Sequence, residues 1–186
     1  PISSFDLDLA ELHKRVLSLP PVMVAEAHIK GGGILSIKVE EKTPALLLKK
    51  ETGFNLLSEH GEYIRSISSR EHFSDLPVIT GEGAENAASQ ATAIFKSIYT
   101  NLDRVRGLVF VGQRRWNIIM KSGQVVMLPE NDPEQAIQKI LFLDKTEQIL
   151  SRKIAVFDFR LPSRITLRVP SDKYGQINSE VIGVRN

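Results

Sequence analysis

Residues 106–129 read RGLVFVGQRRWNIIMKSGQVVMLP, and the fold is decided here. Three apolar-rich runs, 108–111, 116–120 and 125–128, follow one another at strand length. Lys121, Ser122, Gly123 and Gln124 separate the last two, and glycine supplies the positive φ that a tight turn needs. The centre of the chain is therefore predicted to be an antiparallel sheet. Trp116, the single tryptophan, opens the second run directly behind Arg114 and Arg115. A ring of that size usually anchors a core while its N–H finds a partner, so Trp116 is read as structural ahead of a role in binding.

Composition bounds what such a sheet can serve. The 186 residues are 42% hydrophobic, enough for one large domain or two small ones. Lys and Arg number 24 against 22 acids, a near balance that argues against a dedicated nucleic-acid footprint even at an isoelectric point of 8.9. Without cysteine there is no disulfide framework, thiol nucleophile or thiolate metal site. No apolar run approaches the roughly 20 residues that span a bilayer. The chain opens at Pro1 with neither an initiator Met nor a signal peptide, which suits a piece of a longer protein.

Upstream of the centre, Asp8 and Glu11 have the spacing of a capping box, and Leu9, Leu12, Val16 and Leu19 recur at helical spacing until Pro20 and Pro21 stop the helix. Strands are predicted at Val22–Lys30 and Ile34–Glu41 around three glycines; in the second, Leu35, Ile37 and Val39 alternate with polar residues, which predicts one buried face and one wet face. Such a helix-plus-hairpin is too small to stand alone and must dock or complete a fuller domain. Runs 45–49, 54–58 and 63–66 read as a meander, 76–80 as a further strand, and 84–102 as a helix of about 18 residues by the spacing of its alanines, isoleucines and Leu102. Downstream, Asp132, Pro133 and Gln135 predict an N-capped helix, followed by strands at 154–159 and 164–169. Residues 171–186 are polar without a period and are read as a mobile tail. The fold class predicted is α+β: an antiparallel sheet domain over 44–170 with a few packed helices, after a helix-hairpin over 1–43.

Little in the chain looks catalytic. His13, His28, His60 and His72 lie far apart, on an exposed helix face, a strand and two loops, without metal-site spacing. There is no nucleophile elbow and no phosphate loop. Gly81-Glu82-Gly83 between a strand and a helix superficially resembles a dinucleotide turn, but Glu82 and Glu85 would stand where a pyrophosphate must sit, and they are better explained as partners of the helix dipole. Arg104, Arg106, Arg114, Arg115 and Lys121 around Trp116 could form a basic-aromatic patch; scattered acids nearby favour a solvated sheet face instead. No cofactor and no metal are implied.

The order of motifs nevertheless resembles one family. Leu7-Asp8-Leu9 with Leu19-Pro20-Pro21-Val22, then Ile37-Lys38-Val39-Glu40-Glu41-Lys42-Thr43-Pro44-Ala45, is similar to the L-P-x-V … I-x-V-x-E-R-x-P-x-A pattern in the periplasmic part of the bacterial division proteins FtsQ and DivIB. Arg114-Arg115-Trp116, the Ser122-Gly123 turn, Val126-Met127-Leu128 and Val156-Phe157-Asp158-Phe159-Arg160-Leu161-Pro162 resemble that family's RRW … NG … L … V/I-D-L-R segment. The resemblance spans roughly residues 7–169. It implies that residues 1–43 correspond to a POTRA domain lacking its first strand and helix, and 44–170 to the family's β domain. It further implies a non-enzymatic divisome scaffold, held in the inner membrane by a single transmembrane helix upstream of Pro1, with this part in the periplasm at the division septum. The implied partners are division proteins of the FtsB and FtsL type, with no nucleic acid and no small-molecule substrate. By the same resemblance, partner binding falls to the last strand and the start of the arginine hairpin: Arg160, Leu161, Ser163, Arg164, Ile165, Thr166, Leu167, Arg168 and Val169, with Arg114 and Arg115. This chain has Pro162 and Arg164 in a turn where the family also carries Gly or Asp. Two other classes remain open: a POTRA-type polypeptide chaperone, which would need repeats that the chain lacks, and a nucleic-acid binder, whose affinity would fall steeply with salt.

Overall fold

The computed structural model describes residues 8–161 and 163–169. Asp8 starts the first helix, α1 (Leu9–Leu17), as its position predicts: its Oδ1 accepts from the backbone N–H of Ala10 at 2.9 Å and of Glu11 at 3.0 Å. The predicted hairpin follows as β1 (Val22–Lys30) and β2 (Ile34–Glu41), with Ala25 opposite Val39 and Ala27 opposite Ile37. His13 is half-buried, not on an exposed face, because its Nε2 lies 2.8 Å from the Ala25 carbonyl and ties α1 to β1. The predicted dry face of β2 is also corrected. Leu35, Ile37 and Val39 remain about two-fifths exposed, since the nine-residue α1 packs against β1 and stops short of β2.

The rest of the chain builds one nine-stranded sheet. Its strands are β3 (Leu46–Lys50), β4 (Gly53–Leu57), β5 (Tyr63–Ile67), β6 (Val78–Thr80), β7 (Val105–Val111), β8 (Arg115–Met120), β9 (Val125–Met127), β10 (Val156–Asp158) and β11 (Thr166–Arg168), in the spatial order β11-β10-β9-β8-β7-β6-β3-β4-β5. The α+β class is as the sequence predicts. The sheet, however, is mixed: β3 with β6, β6 with β7 and β9 with β10 pair in parallel. For the last two pairs the cause is the helices α2 (Ala88–Ser97) and α3 (Pro133–Glu147), which connect β6 to β7 and β9 to β10. A strand that returns after crossing the sheet face in a helix re-enters in the same direction, whereas a hairpin reverses it.

Two helix expectations are changed by local backbone chemistry. The 84–102 helix is three pieces, with 3-10 turns at Ala84–Ala87 and Tyr99–Arg104 flanking α2, because Ile98, Tyr99 and Thr100 are weak helix formers and Asn101 leaves helical geometry at φ −126°. Asp132 precedes α3 with φ 52°, in the left-handed region that Asp tolerates, and its side chain makes no cap hydrogen bond. Pro133 still occupies the first helical position.

Both helices pack on one face. Ile94 and Phe95 of α2 and Ile137 and Ile140 of α3 bury that face together with Leu108, Ile118, Val126 and Phe157. Trp116 sits at its centre, 1% exposed, with its ring centroid 4.6 Å from that of Phe110 and its Nε1–H donating to Gln90 Oε1 of α2 at 2.9 Å. Arg104 and Asp144 join the approach to β7 to α3 at 2.7 Å. Gly81 is needed for packing, because a Cβ there would collide with the Phe110 carbonyl on the neighbouring strand. Replacing Trp116 by Ala is expected to cost about 3–5 kcal/mol, the range for a large buried aromatic. Gln90→Leu, which strands the indole N–H, is expected to cost about 1–3 kcal/mol. Thermal or urea melts check both, and an unchanged melt for Trp116→Ala would place the ring outside the core.

Candidate partner-binding site

An outermost strand has one partner and so exposes one row of backbone N–H and C=O groups. Among the described residues β11 is such a strand: it pairs only with β10, placing Val156 opposite Arg168, Phe157 opposite Leu167 and Asp158 opposite Thr166. Arg168 turns its carbonyl inward, accepting from Ala155 N–H at 2.7 Å. Because neighbouring residues of a strand address opposite sides, Thr166 also points its backbone groups inward and Leu167 points its N–H and C=O to the open side.

Alternation divides the side chains of 164–169 as their sequence suggests, but it buries none of them. The alternation of Ile165, Leu167 and Val169 with Arg164, Thr166 and Arg168 predicts a side facing the core, but the three are 41%, 48% and 73% exposed. Leu167 shares the helix-covered face with buried Phe157, yet the helix layer ends before reaching it. Beside it runs a groove of about 190 Å³, with Asp132, Ala136 and Lys139 of the α3 side on one wall and Phe159, Leu161 and Ile165 on the other. Leu161 and Arg164 bound the turn into β11, with Arg164 N–H donating to Leu161 O at 3.3 Å, and Ser163 is exposed between them. Pro162 and the 171–186 tail lie outside the described residues.

On the opposite face the arginines converge. Asp158, its side chain 12% exposed, accepts from Arg160 Nε at 2.9 Å, Nη2 at 2.7 Å and backbone N–H at 3.1 Å. That clamp holds the Asp158 carboxyl below its usual range, Arg168 lowering it further, and in turn raises the Arg160 guanidinium. Arg115 donates to Asn117 Oδ1 at 2.7 Å; burial first, then repulsion from Arg160 and Arg114, pushes its guanidinium down. Arg114 reaches Glu130 at 3.8 Å on the exposed rim. Arg114, Arg115, Arg160 and Arg168, distant in sequence, thus share one field around Asp158. The sequence reading missed Asp158 as the residue that holds Arg160, although it stands two positions before it in the 156–162 motif.

The suggested basic-aromatic patch is not a patch. Trp116 is buried, Arg104 is paired with Asp144, and Arg106 and Lys121 lie at the far end of β7 and β8 from Arg114 and Arg115. Among the described residues no three His, Cys, Asp or Glu side chains gather as a metal site, and no helix is long and apolar enough to cross a membrane.

These features define an α+β domain on one open mixed sheet, with an end strand left uncovered among the described residues and an arginine cluster beside it. Comparison with known proteins then supplies the family. The model described as "Cell division protein FtsQ/DivIB, C-terminal" matches residues 45–160. Cell division protein FtsQ of Jannaschia sp. is 38% identical over 91% of this chain and 54% of its own length. FtsQ of Paracoccus denitrificans is 40% identical over 91% and 50%, and that of Cereibacter sphaeroides 37% over 91% and 55%. The chain belongs to the FtsQ/DivIB family of cell division proteins. It spans about half the length of the curated relatives it matches. The solved major extracytoplasmic domain of DivIB from Geobacillus stearothermophilus is 14% identical, with a TM-score of 0.42 over 61% of this chain and 99% of that one, too remote a likeness to argue from.

The clamp has a pH signature. A carboxyl whose folded pKa is depressed contributes stability above its unfolded value and loses it as the pH falls through the folded one. Asp158→Asn is therefore expected to lower the melting temperature at pH 7, with the gap to the parent closing toward pH 3. A gap constant with pH would mean that the Asp158–Arg160 clamp adds nothing to stability.

Proposed function

We propose that this chain is a non-enzymatic scaffold of the bacterial divisome, and that it holds a partner of the FtsB and FtsL type by strand addition to β11. The observation that carries the reading is the open side of β11, where Leu167 offers an N–H and a C=O that no described strand accepts. An incoming strand would gain main-chain hydrogen bonds there, and one of its apolar side chains would enter the groove between Leu161, Ile165 and the start of α3. Arg114, Arg115, Arg160 and Arg168 favour an acidic partner segment, and their charge also opposes pairing of two copies of this edge. The same reading puts this part of the protein in the periplasm at the septum, tethered by a single inner-membrane helix carried elsewhere in the full-length protein. It takes α1, β1 and β2 as part of a POTRA-like domain.

Proline separates the two sides of the strand. Leu167→Pro removes a donor on the open side and is expected to leave the circular dichroism spectrum intact while abolishing binding to a co-purified FtsB–FtsL pair in calorimetry. Thr166→Pro removes a donor used by β10 and is expected to loosen β11 itself. Arg160→Glu should slow association and reduce its salt dependence if an acidic segment meets the cluster. Undiminished affinity in a folded Leu167→Pro variant would contradict strand addition at this edge.

A further inference from the structure

A second groove, of about 300 Å³, opens at the other end of β7 and β8. Three cations reach its rim from three separate elements: Arg70 from the segment after β5, Arg106 from β7, and Lys121 from the turn after β8. Arg70 is held in place because its Nη2 donates to the carbonyls of Ser74 and Leu76, which leaves Nε and Nη1 without a partner among the described residues. Arg106 makes a single long contact, Nη2 to the Lys121 carbonyl at 3.4 Å, and neither Arg106 nor Lys121 has an acidic partner among the described residues. Asp75 is the one acid in the lining, exposed and bonded to Ser74 Oγ. The floor is apolar, made by Leu76, Leu102 and their neighbours.

We infer that this groove is a second docking site, for an acidic peptide segment that carries an apolar side chain. Charge complementarity selects the occupant. A plain inorganic anion would match the cations but leave the Leu76–Leu102 floor wet, and an apolar ligand would bury that floor while leaving convergent positive charge unmatched. Its volume stands at the lower end of ligand-sized pockets, which suits one side chain and its flanking backbone. The six residues of β8 put it about 17 Å from the Arg115 end at an ordinary strand rise, so a segment bound here leaves β11 free. The site is independent of strand addition: either could be present without the other.

The test is a nitrogen-15 NMR titration of the 186-residue chain with the peptide acetyl-Glu-Leu-Glu-amide, against sodium phosphate at matched ionic strength. Saturable shifts at the Leu76, Leu102 and Lys121 amides are expected with the peptide only; any shifts at Arg160 and Leu167, where the arginine cluster also suits an acidic segment, form a separate set that the Arg106 and Lys121 variants leave unchanged. The Arg106→Glu, Lys121→Glu double variant should bind about tenfold more weakly or worse, since it reverses two rim charges. Lys121→Gln, at an exposed position, serves as a milder second variant and should weaken binding in the same direction. The inference is overturned by an absence of saturable shifts, by equal shifts with phosphate, by affinity that both variants leave unchanged, or by shifts that map to Arg115 and Arg160 instead.

Discussion

Two crossings of one sheet face by helices shape the whole domain. A helix between β6 and β7 and another between β9 and β10 oblige each following strand to re-enter in parallel. They also place all helical cover on one side, around Trp116, Ile94 and Ile137. After the second crossing β10 pairs with β9, and the Leu161–Arg164 turn folds the chain back as β11, the outermost strand on that side among the described residues. The open edge is thus a consequence of connectivity. The opposite edge differs: β5 is five residues long, its pairing to β4 shifts register between Leu56 and Leu57, and Arg65 lies over the Phe73 ring. A bulge of that kind twists an edge away from flat pairing, and β11 has no described counterpart to it.

Electrostatics refine what the edge can accept. Four arginines near one face of the β8–β11 end would repel one another strongly if they were loose. Asp158 partly neutralises them, fixing Arg160 through Nε and Nη2 and leaving the outward potential positive. Arg160, held in this way, loses little rotamer freedom on binding and is pre-organised for a carboxylate rather than assembled by it.

Much of this was legible in the chain. The Gly123 turn, the strand-length apolar runs on either side of it and the size of Trp116 were sufficient for the central strands, and Asp8 announced α1. The parallel pairings were legible in principle, because a strand at 76–80, a helix and a strand at 108–111 form a strand-helix-strand unit, but hairpin signals at the centre drew the reading toward a wholly antiparallel sheet. Asp132 misled because its type and position fit a cap, and only its φ of 52° shows that the side chain does not serve as one. The exposure of Ile165, Leu167 and Val169 was not legible, since alternation gives a face and only the extent of the helix layer says whether that face is covered. The arginine field depended on β10 lying parallel to β9, which brings Arg160 beside Arg115 across a long sequence separation.

The central claim is that the open side of β11 pairs with an incoming strand, and backbone amide exchange at three consecutive residues reads it directly. In the free chain the Leu167 amide should exchange fast while those of Thr166 and Arg168, turned toward β10, are protected. On adding an FtsB–FtsL pair, Leu167 should become protected with little change at its two neighbours. Leu167 still exchanging fast in the saturated complex, with new protection appearing elsewhere on the sheet, would contradict the account.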